Sequence, residues 1–551
     1  MKPRRIGSAT RVPLLPSMRS LQMVAVLFIT LGALFAMAPA GGEFYWSDAP
    51  RHALNGVFLK DFVAAMPIDD PIGFAYRYYA QYPALTILFY PPLFYLTSAP
   101  FYALFGASHA TALAVMFMHY LAFAIGTWRL SSVWLPGWRA VAATLMLVCS
   151  PEIAFWGRQI MLEIPAFAFL IFSVLCFTRY RRHGQAKALY TSALLLVLGL
   201  YTKASIAFIA PVFALTLMYE RGRSALNDRH VLWTAGLSLL ALCPLALMTM
   251  KFGQANIQSV TGIADSLADR NTLAGWTWYM QRLPAQLGWP LCIAAVGGVW
   301  MLLRRSRADW DRQRRADALF WAGWLVLGYL FYSAIDLKEA RHSVFMLPPV
   351  VMLACAFIRS VEGSGYGTVL WAIGAGAVLM QTLFFRPVFY VDGYDEAVNY
   401  IAEHAPAGSN VLFSGYRDGA FIFNLRCRED RRDLGVVRAD KLLLKVAVRR
   451  ELGAEEKPLS EAQLRNEIDQ LGIRYVVAQP NFWNDLPAKQ RLHRILDSDQ
   501  FEIVKRIPTR SNYRASDSEL VIYRNRSEVQ QGRVEHHIDL PIIDRSIAIS
   551  R

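Results

Sequence analysis

The apolar residues of this chain come in blocks of about 15 to 20, and that spacing constrains the fold more than any other feature. As a helix, a block of that length covers the roughly 30 Å of hydrocarbon in a bilayer. Blocks fall at 21–40, 109–128, 139–156, 164–178, 188–202, 204–219, 231–251, 286–303, 318–335, 343–358 and 367–386. Composition agrees. The 551 residues are 55% hydrophobic and only 18% charged, whereas a soluble chain of this length carries more charge and divides into several domains. The expected fold is a polytopic α-helical membrane protein with about eleven transmembrane helices.

The net charge of +15 does not point to nucleic acid, because the basic residues sit in short loops between apolar blocks. The strongest loops are "RYRRHGQAK" at 179–187, "ERGR" at 220–223 and "RRSRADWDRQRR" at 304–315, and the positive-inside rule puts all three in the cytoplasm. With the N-terminus (1–20) inside, they share that side only if one further apolar stretch, "YPPLFYLTSAPFYALFG" at 90–106, does not cross. It opens Tyr-Pro-Pro and carries Pro100, which suits a helix lying at the interface. The outer segments are then 41–108, 157–163, the 202–204 turn, 252–285, 336–342 and everything after about 387. The first block reads as a retained span rather than a cleavable signal peptide, being about 20 residues long despite the cleavage-like Ala36-Met37-Ala38.

After Arg386 the pattern changes. "YDEAVNYIAEHAP" (394–406) and "EAQLRNEIDQLG" (461–472) read as helices, and "NVLFSG" (410–415), "IRYVVAQP" (473–480) and "LVIYRN" (520–525) as strands. The expectation is an outer α/β domain over 387–527, with a patternless tail at 528–551. "SGYRDGAFIFNLR" (414–426) reads either as an acceptor surface or as a plain strand and turn. Cys149, Cys176, Cys243, Cys292, Cys355 and Cys427 have no metal-ligand or redox spacing and read as small packing residues.

Unusual polar residues collect at the outer ends of different blocks. Asp48 follows the first, in "GGEFYWSDAPRHALNG" (41–56). Glu163 opens the fourth, in "GRQIMLEIPAF", and Lys203 lies in the turn of "GLYTKAS". Lys338, Glu339, Arg341 and His342 open the tenth, in "DLKEARHSVFMLPP". Each has a plain reading: Lys203 and Arg341 as snorkelling cations, Glu163 and Asp48 as helix N-terminal carboxylates, His52 as a packing histidine. Their recurrence on one face favours a single cleft. Its cations suit a phosphate, and its carboxylates suit a general base or a divalent cation, Mg or Mn, if the reaction is metal-dependent. Tyr45, Trp46, Tyr76, Tyr78, Tyr79 and Tyr82 in the first outer loop suit a sugar ring.

These residues resemble those of the GT-C fold glycosyltransferases of the dolichyl-phosphate-mannose protein mannosyltransferase superfamily, near the bacterial branch with the lipid A aminoarabinose transferase. The resemblance covers 20–390 and rests on "SDAPRHAL", "YPPLFYLTSAPFYALFG", "RQIMLEIPAF", "GLYTKAS" and "RHSVFMLPP" in that order. It implies Asp48 as the catalytic acid of the first loop, Glu163 as the second acid, and Lys203 and Arg341 as donor-phosphate contacts. Asp48 and Glu163 are then the metal ligands, if a metal is used. Two departures stand out: Asp48 is followed by Ala49 rather than Glu, and Tyr90 replaces a lysine before Pro-Pro. Arg77 is a further candidate for the phosphate, and Tyr45, Trp46 and His342 for sugar or acceptor. No Trp-Trp-Asp motif is present, against an oligosaccharyltransferase.

The resemblance implies a glycosyltransferase moving a sugar from a polyprenyl-phosphate donor to a glycan, lipid or protein acceptor, by inverting displacement. The implied place is a bacterial inner membrane, with the C-terminal domain periplasmic. The alternatives are a transporter or flippase for lipid-linked sugars, which needs inward-facing access, and a non-catalytic envelope assembly protein, in which Asp48 and Glu163 tolerate amides. Acyl or phosphoethanolamine transfer lacks the Ser/His or zinc constellation it needs.

Overall fold

The computed structural model describes residues 18–38, 43–253, 257, 269–304, 310–362, 366–446, 450, 454–513, 519–527, 535–540 and 545–550. Each apolar block is mostly helical over its described residues. The helices up to residue 252 are α1 (Met18–Ala36), α2 (Asp48–Ala65), α3 (Pro71–Gln81), α4 (Leu93–Phe105), α5 (His109–Ser131), α6 (Trp138–Val148), α7 (Pro151–Gly157), α8 (Glu163–His183), α9 (Ala186–Leu200), α10 (Ile209–Arg221) and α11 (Arg229–Phe252). Further helices span Leu273–Leu287, Trp289–Arg304, Arg312–Ser333, Leu347–Val361 and Gly367–Phe385.

Among the described residues, six helical segments are each long and apolar enough to cross a membrane: His109–Ser131, Glu163–His183, Ala204–Asn227, Arg229–Phe252, Ala340–Val361 and Gly367–Phe385. The block expected as one helix at 139–156 is instead two, α6 and α7, bent by 71°. Pro151 explains the break, since it has no N–H to continue α6 and starts α7 at a position where none is needed. Counted as one span, the pair makes a seventh, and Ser20–Ala36, Leu93–Phe105, Ala186–Leu200 and Trp289–Arg304 are shorter apolar helices.

Burial differs sharply between helices. In α8, 78% of the apolar window is buried, against 6% in α11. α8 is therefore the central post of the bundle, and Glu163 is its first residue. α11 presents Leu232, Trp233, Leu237, Leu240 and Met250 outward, as a lipid-facing helix does.

The first outer segment is mostly helical rather than loop. The 90–106 stretch forms α4, thirteen residues long. α4 packs on α2 at Gly56, where an added Cβ would lie 2.8 Å from the Tyr102 ring. Asn55 ties the next connection, donating to Thr86 Oγ1 at 3.1 Å and accepting from the Thr86 N–H at 2.9 Å. A second helix, Leu273–Leu287, lies where the sequence reads as an outer loop.

The C-terminal domain holds a five-stranded sheet in the order β4-β3-β5-β7-β6, made of β3 (Asn410–Ser414), β4 (Gly435–Arg438), β5 (Ile473–Ala478), β6 (Phe501–Pro508) and β7 (Glu519–Asn525). β3 runs parallel to β4 and β5, and β7 antiparallel to β5 and β6. The expected helices appear as Tyr394–His404 and Glu461–Gln470, the latter opened by a Ser460–Gln463 capping box. Asp418–Cys427 and Pro487–Leu496 are additional helices. The tail after Ser527 is not featureless: its backbone forms two antiparallel strands, Glu535–Leu540 and Arg545–Ser550.

This domain is fastened to the membrane module. β1 (Glu43–Phe44) pairs with β2 (Tyr390–Asp392). Arg426, fully buried, donates to Asp61 from Nε at 2.9 Å, and Tyr78 donates to the same carboxylate at 2.9 Å. Breaking such a buried pair leaves an uncompensated charge, so it fixes the docking of the domain more firmly than an exposed pair does.

Candidate active site

Asp48 is the first residue of α2, where the helix dipole favours a carboxylate. Ser47 precedes it as N-cap but makes no side-chain cap bond. Glu163 opens α8, and Pro165 beside it needs no N–H partner in that first turn. Lys203 sits in the turn after α9, before the 3₁₀ segment Ala204–Phe208. Arg341 lies in the 3₁₀ segment Ala340–Met346 that leads into Leu347–Val361.

These four residues, far apart in sequence, meet. Lys203 Nζ donates to Glu163 Oε1 at 2.9 Å. Both terminal nitrogens of Arg341 lie 3.3 Å from Asp48 Oδ2, and its Nε lies 3.9 Å from Glu163 Oε1. The Glu163 side chain is wholly buried, while that of Asp48 keeps 29% of its surface exposed. One carboxylate is thus an internal anchor and the other faces outward. Among the described residues the second oxygen of Glu163 finds no hydrogen-bond partner.

Glu339, grouped with Arg341 in the sequence but given no role there, accepts from Arg341 Nε. His342 Nε2 lies 3.8 Å from the same carboxylate. Lys338 turns away and donates to the Tyr332, Ser333 and Ile335 carbonyls at the end of the preceding helix. Trp156 lies under the Arg341 guanidinium, 5.5 Å from its carbon, and Trp46 packs on Trp156 at 5.0 Å. Tyr45 instead faces the C-terminal domain, with Arg417 over its ring at 4.7 Å.

Arg77 does not join the cluster. It pairs with Asp70 at 2.9 Å, with more than half of both side chains exposed. Asp70 is the N-cap of α3 and lies two turns before Arg77 on the same face, so it captures the guanidinium. Among the residues expected to hold phosphate, only Lys203 and Arg341 stand at the carboxylates.

His52 is buried, with Nδ1 2.9 Å from the Tyr95 hydroxyl. Tyr90, where the resembling family has lysine, stacks edge-on against it at 4.8 Å. Burial pushes the Asp48 carboxyl up, but Arg341, His52 and Arg51 outweigh it and hold the group below the usual carboxylate range. Burial pushes the His52 imidazole down to about 4, against the pull of Asp48, so it is neutral at pH 7. For Tyr90, burial and then the Asp48 charge raise the phenol well above its ordinary value, so it is neutral too. With His52 and Tyr90 neutral, the ion pair of Asp48 with Arg341 faces the mouth of the site.

Asp48 and Glu163 are each already held by a cation of the chain. Among the described residues no three His, Cys, Asp or Glu side chains group as a metal site. A divalent cation held here would have to displace Arg341 from Asp48 Oδ2 or Lys203 from Glu163 Oε1 to gather its oxygen ligands.

Residues 90–247 match the family model of the dolichyl-phosphate-mannose-protein mannosyltransferases. No curated protein matches the chain in sequence. Among solved structures, ArnT from Cupriavidus metallidurans bound to undecaprenyl phosphate superposes with a TM-score of 0.61 at 12% identity, over 92% of this chain and 98% of that one. The arabinofuranosyltransferase AftD from Mycobacteria gives 0.54 at 14% identity, over 94% of this chain and 40% of AftD. The oligosaccharyltransferase of Archaeoglobus fulgidus gives 0.50 at 10% identity, over 84% and 69%. At these identities the structural likeness establishes the fold. The chain is a multi-pass membrane protein of the GT-C fold, similar to the glycosyltransferases built on it, with a C-terminal α/β domain.

Proposed function

We propose that the protein is a glycosyltransferase that moves a sugar from a polyprenyl-phosphate donor to an acceptor outside the cytoplasm. The observation that carries this reading is the meeting of Asp48 with Arg341, beside Glu163 and Lys203, at one end of the bundle. The undecaprenyl phosphate bound to ArnT from Cupriavidus metallidurans supplies the donor class by analogy. The membrane is taken as a bacterial inner membrane, with the site and the C-terminal domain on the periplasmic side.

In this reading Arg341 and Lys203 hold the donor phosphate, and Asp48 takes the proton of the acceptor nucleophile. The sugar leaves as its anomeric C–O bond to phosphate breaks and the bond to the acceptor forms in line, inverting the configuration. The departing polyprenyl phosphate is a phosphate monoester, a weak base that needs no strong acid behind it. Arg341 stabilises the charge that grows on it. At rest, Arg341 makes Asp48 a poor base. A donor phosphate draws the guanidinium off, and the carboxylate regains basicity only when the donor is seated. Glu163 keeps Lys203 and Arg341 aimed into the cleft. Trp46 and His342 border it for sugar or acceptor contact.

The test uses membranes supplied with radiolabelled undecaprenyl-phosphate sugars, following release of undecaprenyl phosphate. Release that depends on acceptor supports the transferase. Labelled lipid that crosses the bilayer intact, without release, supports the flippase instead.

A further inference from the structure

Three consecutive residues of the C-terminal domain grip the segment that presents Asp48. Arg417 Nε donates to the Tyr45 carbonyl at 3.1 Å, and its guanidinium covers the Tyr45 ring. Both oxygens of Asp418 accept from Arg51 Nη2, at 2.8 and 3.0 Å. Gly419 lies against the turn between them: a Cβ there would stand 2.9 Å from Pro50 Cγ and 3.5 Å from the Ser47 carbonyl. The contacts therefore fall three residues before Asp48, three after it, and on Ser47 and Pro50 to either side.

The grip is itself built. Arg417 holds a left-handed backbone at φ 55°, which a residue with a Cβ adopts only at a cost, and this turns the chain so that Asp418 starts its helix facing α2. Arg438 Nη1 lies 2.9 Å from Asp418 Oδ2 and is in turn held by Asp440, which fixes the Asp418 carboxylate from behind. α2 needs outside support at this end. Its first N–H groups lack intrahelical partners and Ser47 supplies no side-chain cap, so its first turn, where Asp48 sits, is the part most prone to fray.

We infer that residues 417–419 are a positioning clamp for Asp48, with Asp418 acting through Arg51. This rests on the reading of Asp48 as the reacting carboxylate. The C-terminal domain is then part of the catalytic apparatus: the bundle aims the Asp48 side chain through Arg341, and the domain fixes its backbone through the clamp.

The test is steady-state turnover of the full-length protein in membranes supplied with radiolabelled undecaprenyl-phosphate sugars. Asp418→Asn, Arg51→Gln and Gly419→Ala are each compared with Lys60→Met, which breaks the Lys60–Glu429 pair farther along the same interface. The three clamp variants lower kcat by on the order of ten- to a hundredfold, the scale set by a misplacement near 1 Å, with donor KM nearly unchanged. Lys60→Met stays near wild type. The acid limb of kcat adds a readout that loss of fold does not give. Asp418→Asn removes a negative charge near Asp48 and moves the limb to lower pH. Arg51→Gln removes a positive charge and moves it to higher pH. Gly419→Ala changes no charge and leaves the limb in place. The clamp is overturned if Asp418→Asn and Gly419→Ala keep wild-type kcat, or if Asp418→Asn and Arg51→Gln leave the limb unmoved. Turnover that survives Asp48→Asn defeats the reading of Asp48 itself, whatever the clamp variants do.

Discussion

Arg341 bridges the two carboxylates of the site, with its terminal nitrogens 3.3 Å from Asp48 Oδ2 and its Nε 3.9 Å from Glu163 Oε1. One planar cation reaches an exposed acid and a buried one, as a lysine ammonium cannot. Arg341→Lys keeps the charge but loses the fork. It is expected to lower kcat/KM by on the order of a hundredfold, as the loss of one preorganised donor does. Comparing kcat and KM for the donor checks this. If donor binding alone is lost, KM rises and kcat holds.

Glu163 is wholly buried and carries the charge that balances Lys203. Glu163→Gln leaves Lys203 without its partner and should cost about 3 kcal/mol of stability. Thermal melting in detergent measures it. The Glu163→Gln, Lys203→Met double variant should recover part of that loss, because no unpaired cation remains.

The apolar blocks announced the bundle because a span must be continuous, and that continuity survives in a single sequence. That Asp48, Glu163, Lys203 and Arg341 would meet was legible for a related reason: a charge at the end of an apolar block has few neighbours in sequence that explain it. Arg77 was misplaced because its partner Asp70 lies in the same short helix, and a local pair looks like a free cation until the helix is drawn. The α6–α7 bend needed three-dimensional packing to be seen, although Pro151 marked the place. Leu273–Leu287 was missed because Arg282 and Pro284 interrupt its apolar pattern. "SGYRDGAFIFNLR" reads equally as an acceptor surface or as a strand and turn. In the structure, Asp418 starts a helix there whose N-terminus meets α2, a long-range contact that no local pattern encodes.

His52 makes the protein acid-sensitive. Its folded value of about 4 lies below the ordinary 6.5, so the unfolded chain binds more protons between those values. The stability that the neutral imidazole confers is fully present above pH 6.5 and is lost as pH falls toward 4, by about 3 kcal/mol in all. The depressed Asp48 carboxyl adds a loss of the same sign below its unfolded value of 3.8. Melting temperature measured from pH 7 to pH 4 should fall, and His52→Gln should flatten that fall.

Metal dependence is decided by chelation. With each carboxylate already held by Arg341 or Lys203, exhaustive treatment with EDTA should leave turnover unchanged. Activity lost to EDTA and restored by Mg or Mn would require those ion pairs to open around a cation.

The most direct measurement is turnover of Asp48→Asn against wild type, in membranes supplied with radiolabelled undecaprenyl-phosphate sugars. The amide keeps the size of the side chain and removes its basicity. The account predicts release of undecaprenyl phosphate slowed by about a hundredfold or more, as removal of a general base does, in a protein that still binds donor. Release at the wild-type rate from a folded Asp48→Asn protein would contradict it.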